Sequence, residues 1–208
     1  MGFCNASCSF TRFRILDTVP KELWLQIVDR LRQHAFLDID DTAEMQAHGW
    51  VCFEDMLDNQ WLSAPPQKGS YIVFSLRIDT RRIPASVIKK HLALAVRDEK
   101  ARLQEQNKNF ISRERKKELK EQVLLRLRQR FLPIPGEFNV VWATDRNEVW
   151  FASTQTRPID LFVEKFLQTF DLHLEPMTPY NLACTRLDEN RLTTLDHLES
   201  TQFAPQNA

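Results

Sequence analysis

Glycine is scarce in this chain, with four residues among 208. That is too few for a glycine-rich loop cradling a phosphate, and no P-loop or dinucleotide fingerprint is found. The scarcity also speaks against a turn-dense all-β fold. Cysteine is sparse as well. Cys4, Cys8, Cys52 and Cys184 form no Cys-x-x-Cys pair and have no histidines at zinc-finger spacing, so reduced thiols and no bound metal are expected. No apolar run approaches the ~18 residues that span a bilayer. Residues 1–10 have neither the basic start nor the apolar core of a signal peptide. Ala6 stands where myristoylation of Gly2 prefers Ser or Thr. A cytoplasmic protein with no membrane partner is expected.

Catalytic signatures are missing too. His34, His48, His91, His173 and His197 are scattered and form no His-Glu-x-x-His set, and no Gly-x-Ser-x-Gly occurs. The nearest approach to a metal-dependent nuclease is the run Asp38, Asp40, Asp41 and Glu44, with Asp55 and Asp58 beyond it. Their spacing does not bring three carboxylates onto one Mg²⁺ without help from the fold. A solvated loop whose acids cap turns is the preferred reading. No catalytic residue, metal ligand or cofactor is assigned, and the chain is not expected to be an enzyme. Trp50, Trp61, Trp142 and Trp150 can in principle stack on single-stranded bases. Their place in apolar segments points to core packing instead, as does that of Trp24.

What the chain does have is charge, unevenly placed. The formal net charge is zero, with 28 basic and 28 acidic residues. Residues 81–130 hold 16 Lys/Arg against 6 Asp/Glu, a net of +10, and the remainder holds 12 against 22, a net of −10. Such asymmetry within one chain suggests a polyanion site on one element.

Periodicity supplies the frame. Residues 9–16 read as a strand, and Leu23, Trp24, Ile27, Val28 and Leu31 form a helical stripe after Pro20. Residues 49–53 read as a short strand, and 58–70, with Pro65, Pro66 and Gly69, as a loop. Ile72, Phe74, Leu76 and Ile78 alternate as one face of a strand over 71–78. Pro84 suits the first turn of a helix running to about Gln106. Asn107–Asn109 is a break, and Ser112 caps a second helix that runs to about Phe131 and is ended by Pro133, Pro135 and Gly136. A hairpin of 138–143 and 148–153 follows. After it come an amphipathic helix from Thr156 (Ile159, Phe162, Val163, Phe166, Leu167, Phe170) and a strand over 172–177. The reading is α+β: antiparallel sheets with packed helices and two long basic helices in the middle. One domain spans 1–186, with a basic segment at 81–131, and 187–208 is a polar, loosely held tail.

The candidate phosphate contacts are Arg81, Arg82, Lys89, Lys90, Arg97, Lys100 and Arg102. Lys108, Arg113, Arg115, Lys116, Lys117, Lys120, Arg126, Arg128 and Arg130 complete the set. Each helix spans roughly 30 Å at 1.5 Å per residue, and duplex DNA carries one charge per ~1.7 Å. Such contacts fix position but carry no base information. Three other readings stand beside this one. The cations can be solvated or tied in i,i+4 ion pairs with Glu114, Glu118 and Glu121, they can dock an acidic protein partner, or the acidic loop can serve a nuclease.

Three segments carry a resemblance: Ala47-His48-Gly49-Trp50-Val51, Ile83-Pro84-Ala85-Ser86-Val87-Ile88-Lys89-Lys90, and Glu118-Leu119-Lys120-Glu121-Gln122-Val123-Leu124. In their order and spacing, and with the hairpin around Trp142 and Asn147, they resemble the bacterial recombination-associated RdgC family over roughly residues 9–186. The resemblance implies homodimers that encircle duplex DNA without sequence preference, associate with the nucleoid and restrain the RecA recombinase. It also implies a basic inner surface. Longer family members continue past the end of this chain. The segment Arg128-Gln129-Arg130-Phe131-Leu132 differs from the Pro-Arg-Ala-Phe type near the ring's closing contact, leaving Phe131 and Leu132 as the candidate dimer contact.

Overall fold

A computed structural model describes residues 2–105 and 110–199. In chain order its elements are β1 (Thr11–Ile15), α1 (Leu23–Gln33), β2 (Gln46–Val51), β3 (Gln67–Lys68), β4 (Tyr71–Thr80), α2 (Ala85–Glu105) and α3 (Arg113–Arg128). They continue with β5 (Ile134–Ala143), β6 (Glu148–Phe151), α4 (Thr156–Phe170), β7 (Leu174–Pro176), α5 (Pro179–Cys184) and α6 (Glu189–Asp196). The class is α+β. The expected plurality of sheets gives way to one seven-stranded antiparallel sheet, ordered β2-β4-β5-β6-β1-β7 with β3 paired on β4. The join is the long β4–β5 ladder, from Tyr71↔Ala143 to Thr80↔Ile134. Residues 81–133, between its two strands, are therefore an excursion that leaves the sheet and returns to the same place.

Alternation along β4 sends Ile72, Phe74 and Leu76 to one face, where they meet Val140 and Trp142 of β5 and Val149 and Phe151 of β6. The stripes of α1 and α4 close over this face. On α4, Phe162, Phe166 and Phe170 recur every four residues and are all buried. The Phe162 ring stacks on Phe151 with centroids 4.3 Å apart. Each such ring contributes roughly 1.5–3 kcal/mol on burial. Asp171, in the left-handed conformation at φ 57°, ends the helix, and its N–H donates to the Leu167 carbonyl.

The opposite face of β4 is also buried but polar. Arg77 forks onto Asp79 at 2.8 and 2.7 Å and lies over the Phe36 ring at 4.2 Å. Asn139 donates to the Ser75 hydroxyl, which donates to Glu137. On β2, Gly49 sits where a Cβ would come within 2.4 Å of the Phe36 backbone. Its lack of a side chain lets residues 34–36 lie along the strand, where the N–H of Phe36 bonds the Trp50 carbonyl at 2.9 Å.

Several boundaries depart from the sequence reading: the strand expected over 49–53 starts earlier, at Gln46, and the loop expected over 58–70 holds the two-residue β3 paired on β4. The second long helix stops at Arg128, and Pro135 and Gly136, expected to lie beyond it as breakers, are already inside β5. Proline is tolerated there because β6 pairs only with residues 140–143, so Pro135 has β4 on one side and no ladder on the other. The strand expected over 172–177 shortens to three residues. The segment after residue 187 carries α6, capped by Asp188 and tied to α5 by Tyr180 Oη donating to Asp196 at 2.7 Å. The break expected at Asn107–Asn109 lies outside the described residues.

Candidate nucleic-acid interface

The excursion between β4 and β5 is a pair of helices packed on each other. Ser112 caps α3, its hydroxyl accepting from the Arg115 N–H at 3.1 Å. Leu119, Val123 and Leu127 of α3 are buried, whereas α2 has no buried residue in its 21. Val87, Ile88, Leu92, Ala95, Val96 and Leu103 of α2 are half-buried, which identifies its inward side.

The rest of α2 follows from helical geometry. At about 100° per residue, Lys89, Lys90, Arg97 and Lys100 fall within an arc of about 100° that begins beside Val96 at Lys89 and reaches the side opposite the inward stripe at Lys90. All four are exposed. Asp98, Glu99 and Glu105, the acids of α2, lie outside that arc. Among the described residues no carboxylate pairs with any of the four cations. The helix therefore presents a ridge of uncompensated positive charge about 16 Å long from Lys89 to Lys100.

The second helix is different. Arg113, Lys116, Lys117, Lys120, Arg126 and Arg130 are exposed and Arg128 half-exposed, but Glu114, Glu118 and Glu121 are interspersed among them. Arg115 is used internally. Its Nε and Nη2 reach Glu99 of α2 at 2.7 and 3.3 Å, and its Nη1 reaches Glu118 at 2.8 Å. The hydrogen bond from Arg115, opposed by slight desolvation, holds the Glu99 carboxyl below its ordinary range, and the guanidinium is raised in return. Arg102, Arg115 and Arg126 line the groove of about 410 Å³ between the two helices, together with Asp98 and Glu99. They face away from the α2 ridge.

Arg81 overturns its sequence reading as a phosphate contact. It is 1% exposed. Its guanidinium donates to the carbonyls of Ile39, Asp40, Thr42, Glu44 and Phe131, and its own N–H to that of Met45. It thus clips the acidic loop to the root of both helices. Arg82, the next residue, is exposed. Lys108 lies outside the described residues. Phe131 is half-buried, and Leu132 is 70% exposed.

The acidic loop is shaped around that arginine. Asp38 Oδ1 accepts the Asp40 N–H at 2.7 Å, a local turn. Among the described residues no three His, Cys, Asp or Glu are grouped to hold a metal ion. Trp50, Trp61 and Trp142 are core residues at 0%, 6% and 0% exposure, while Trp150 is half-exposed on the polar face of the sheet beside Phe10 and Tyr71. No helix among the described residues is long and apolar enough to cross a membrane.

A family model described as "Putative exonuclease, RdgC" matches residues 10–189. The chain belongs to the RdgC family. The match takes in the whole sheet, the excursion and α4, and it links the chain to recombination. No curated protein matches it. Of the segments that carried the resemblance, 47–51 is β2 with its obligatory Gly49, 83–90 opens α2, and 118–124 is the middle of α3, carrying the buried Leu119 and Val123.

Proposed function

We propose that this RdgC-family chain binds duplex DNA without reading base sequence, using the outward ridge of α2 as its principal contact. The observation that carries the reading is the set Lys89, Lys90, Arg97 and Lys100: one side of the helix, no acid of α2 within it and, among the described residues, no carboxylate partner. Helices of ordinary solvated surfaces mix signs, as α3 does. A single-sign ridge is disfavoured by self-repulsion and is useful against a polyanion. Lys116, Lys117 and Lys120 of α3 play a secondary part in this reading. The protein acts as a cytoplasmic, nucleoid-associated homodimer, with Phe131 and Leu132 at a subunit contact, and bound protein obstructs RecA filaments. No catalytic step is part of this reading.

The test is retention on random duplex DNA across salt. With about four phosphates engaged by the ridge and about one or two by α3, log K should fall against log salt with a slope near −5. Lys89→Ala/Arg97→Ala/Lys100→Ala should flatten that slope to about −2, and Lys116→Ala/Lys117→Ala/Lys120→Ala should flatten it less. Equal loss from both triple variants would remove α2 from its leading role. Absence of binding at low salt would transfer the ridge to an acidic protein partner. Mg²⁺-dependent shortening of end-labelled duplex would show a nuclease.

A further inference from the structure

A second basic feature lies off the ridge. Between the start of β5 and the first turn of α4 is a cleft of about 300 Å³, at the lower end of the range of ligand pockets. Its floor is apolar, built from Phe138 and Leu161 with Ile134 at the lip, and Ile134 is 55% exposed. Its rim carries two exposed guanidiniums, those of Arg82 and Arg157, and no acidic residue lines it. Among the described residues neither arginine is paired with a carboxylate. Arg157 is aimed by a hydrogen bond to the Gln46 side-chain oxygen, a neutral acceptor that orients the fork and leaves its charge unspent. The cleft also meets the positive end of α4, where Gln155 supplies no side-chain cap.

We propose that this cleft docks an acidic peptide segment of a partner protein, with one aromatic or leucyl side chain on the floor and flanking carboxylates on Arg82 and Arg157. Arginine forks match carboxylates in bidentate geometry. The apolar floor selects against a nucleic-acid backbone, which brings charge without a buried apolar group. A duplex is also too broad to enter so small a space. The recognition mode is that of an acidic motif read by arginines around an apolar anchor pocket.

The experiment is fluorescence anisotropy with the full chain and a fluorescein-labelled octapeptide of four aspartates flanking a central phenylalanine, its remaining positions serine. The same peptide with asparagine for every aspartate is the control. Saturable binding of the acidic peptide, absent for the control, is expected. Arg157→Ala should weaken it about tenfold, the loss of one charge-assisted pair. Ile134→Asp should weaken it similarly by placing a like charge at the lip, and circular dichroism checks that both variants are folded. Equal binding of the two peptides, no saturable binding, or an unchanged affinity in folded Arg157→Ala each overturns the proposal. A loss of DNA retention in Arg157→Ala without any peptide binding assigns the cleft to the DNA surface instead. The α2 triple variant should bind the peptide like the native chain, so failure of the DNA reading and failure of this one are distinguishable.

Discussion

α4 and α2 are both amphipathic in outline and differ in what they give up to the core. α4, with 15 residues, buries Phe162, Phe166 and Phe170 against the sheet; α2, with 21, buries none. Burial at roughly 1.5–3 kcal/mol per aromatic ring makes α4 a helix that the fold requires. α2 is held by half-buried contacts with α3, by the Glu99–Arg115 pair and by its root. The lesson is that the longer helix is the one least constrained by packing, so its choice of residues answers to what lies outside the molecule.

That contrast can be broken most severely in the core. Phe166→Ala should cost roughly 3–5 kcal/mol, the usual range for a buried Phe→Ala, and lower the thermal midpoint of the whole chain. Arg81→Ala should come close to it. The substitution takes the guanidinium from five carbonyls, of which that of Ile39 keeps the Thr42 N–H, and each buried carbonyl left unsatisfied costs roughly 1–3 kcal/mol. Hydrogen exchange should then rise first at residues 39–45 and at the helix roots, whereas Phe166→Ala should raise it across the sheet. Arg97→Glu on the ridge should leave the midpoint within the ±0.5 kcal/mol of an ordinary surface change, measured by thermal unfolding, while weakening DNA retention. A midpoint drop as large as that of Phe166→Ala would erase the contrast between the two helices.

Smaller effects sharpen it. Arg115→Ala removes the clamp between α2 and α3, and exposed ion pairs of this kind are worth about 0–1 kcal/mol. Faster amide exchange confined to those two helices is the expected readout. The smallest effect concerns pH. Burial, and then the charge of Lys165, hold His48 below the ordinary histidine range, with Glu164 opposing. The folded state therefore keeps His48 neutral while the unfolded chain protonates near pH 6.5. This contribution is fully present above about pH 6.5 and is lost as pH falls below it toward the lowered folded value. His48→Gln should shallow the decline of the midpoint below pH 6.5; an unchanged decline would assign it to other groups.

Much of this arrangement was legible in the residues, because period and caps are local. The β4 alternation, the α4 stripe and the Ser112 cap each follow from chemistry within a few positions, and the charge imbalance of 81–130 from counting. The ridge on α2 was half-legible. The list of cations was readable, but not which of them share an acid-free face, since that needs the inward side to be known. Arg81 was not legible at all. It opens a basic run and looks like its neighbours in sequence, yet its partners lie about 40 positions before it and 50 after, on carbonyls that no composition betrays. The cleft beside α4 was missed for the same reason, since Arg82 and Arg157 meet only through the return of β5 alongside β4.

Arg81 has a consequence for how such a chain can vary. Its hydrogen bonds grip the 39–44 loop by main-chain oxygens. Apart from the buried Ile39 and the turn-closing Thr42 hydroxyl, spelling in the loop is thus free to drift, acid for amide, without loosening the helices above it. Its length is not free. A residue inserted or deleted there shifts every oxygen out of reach at once, so divergent copies should differ in the letters of this loop and agree in their number.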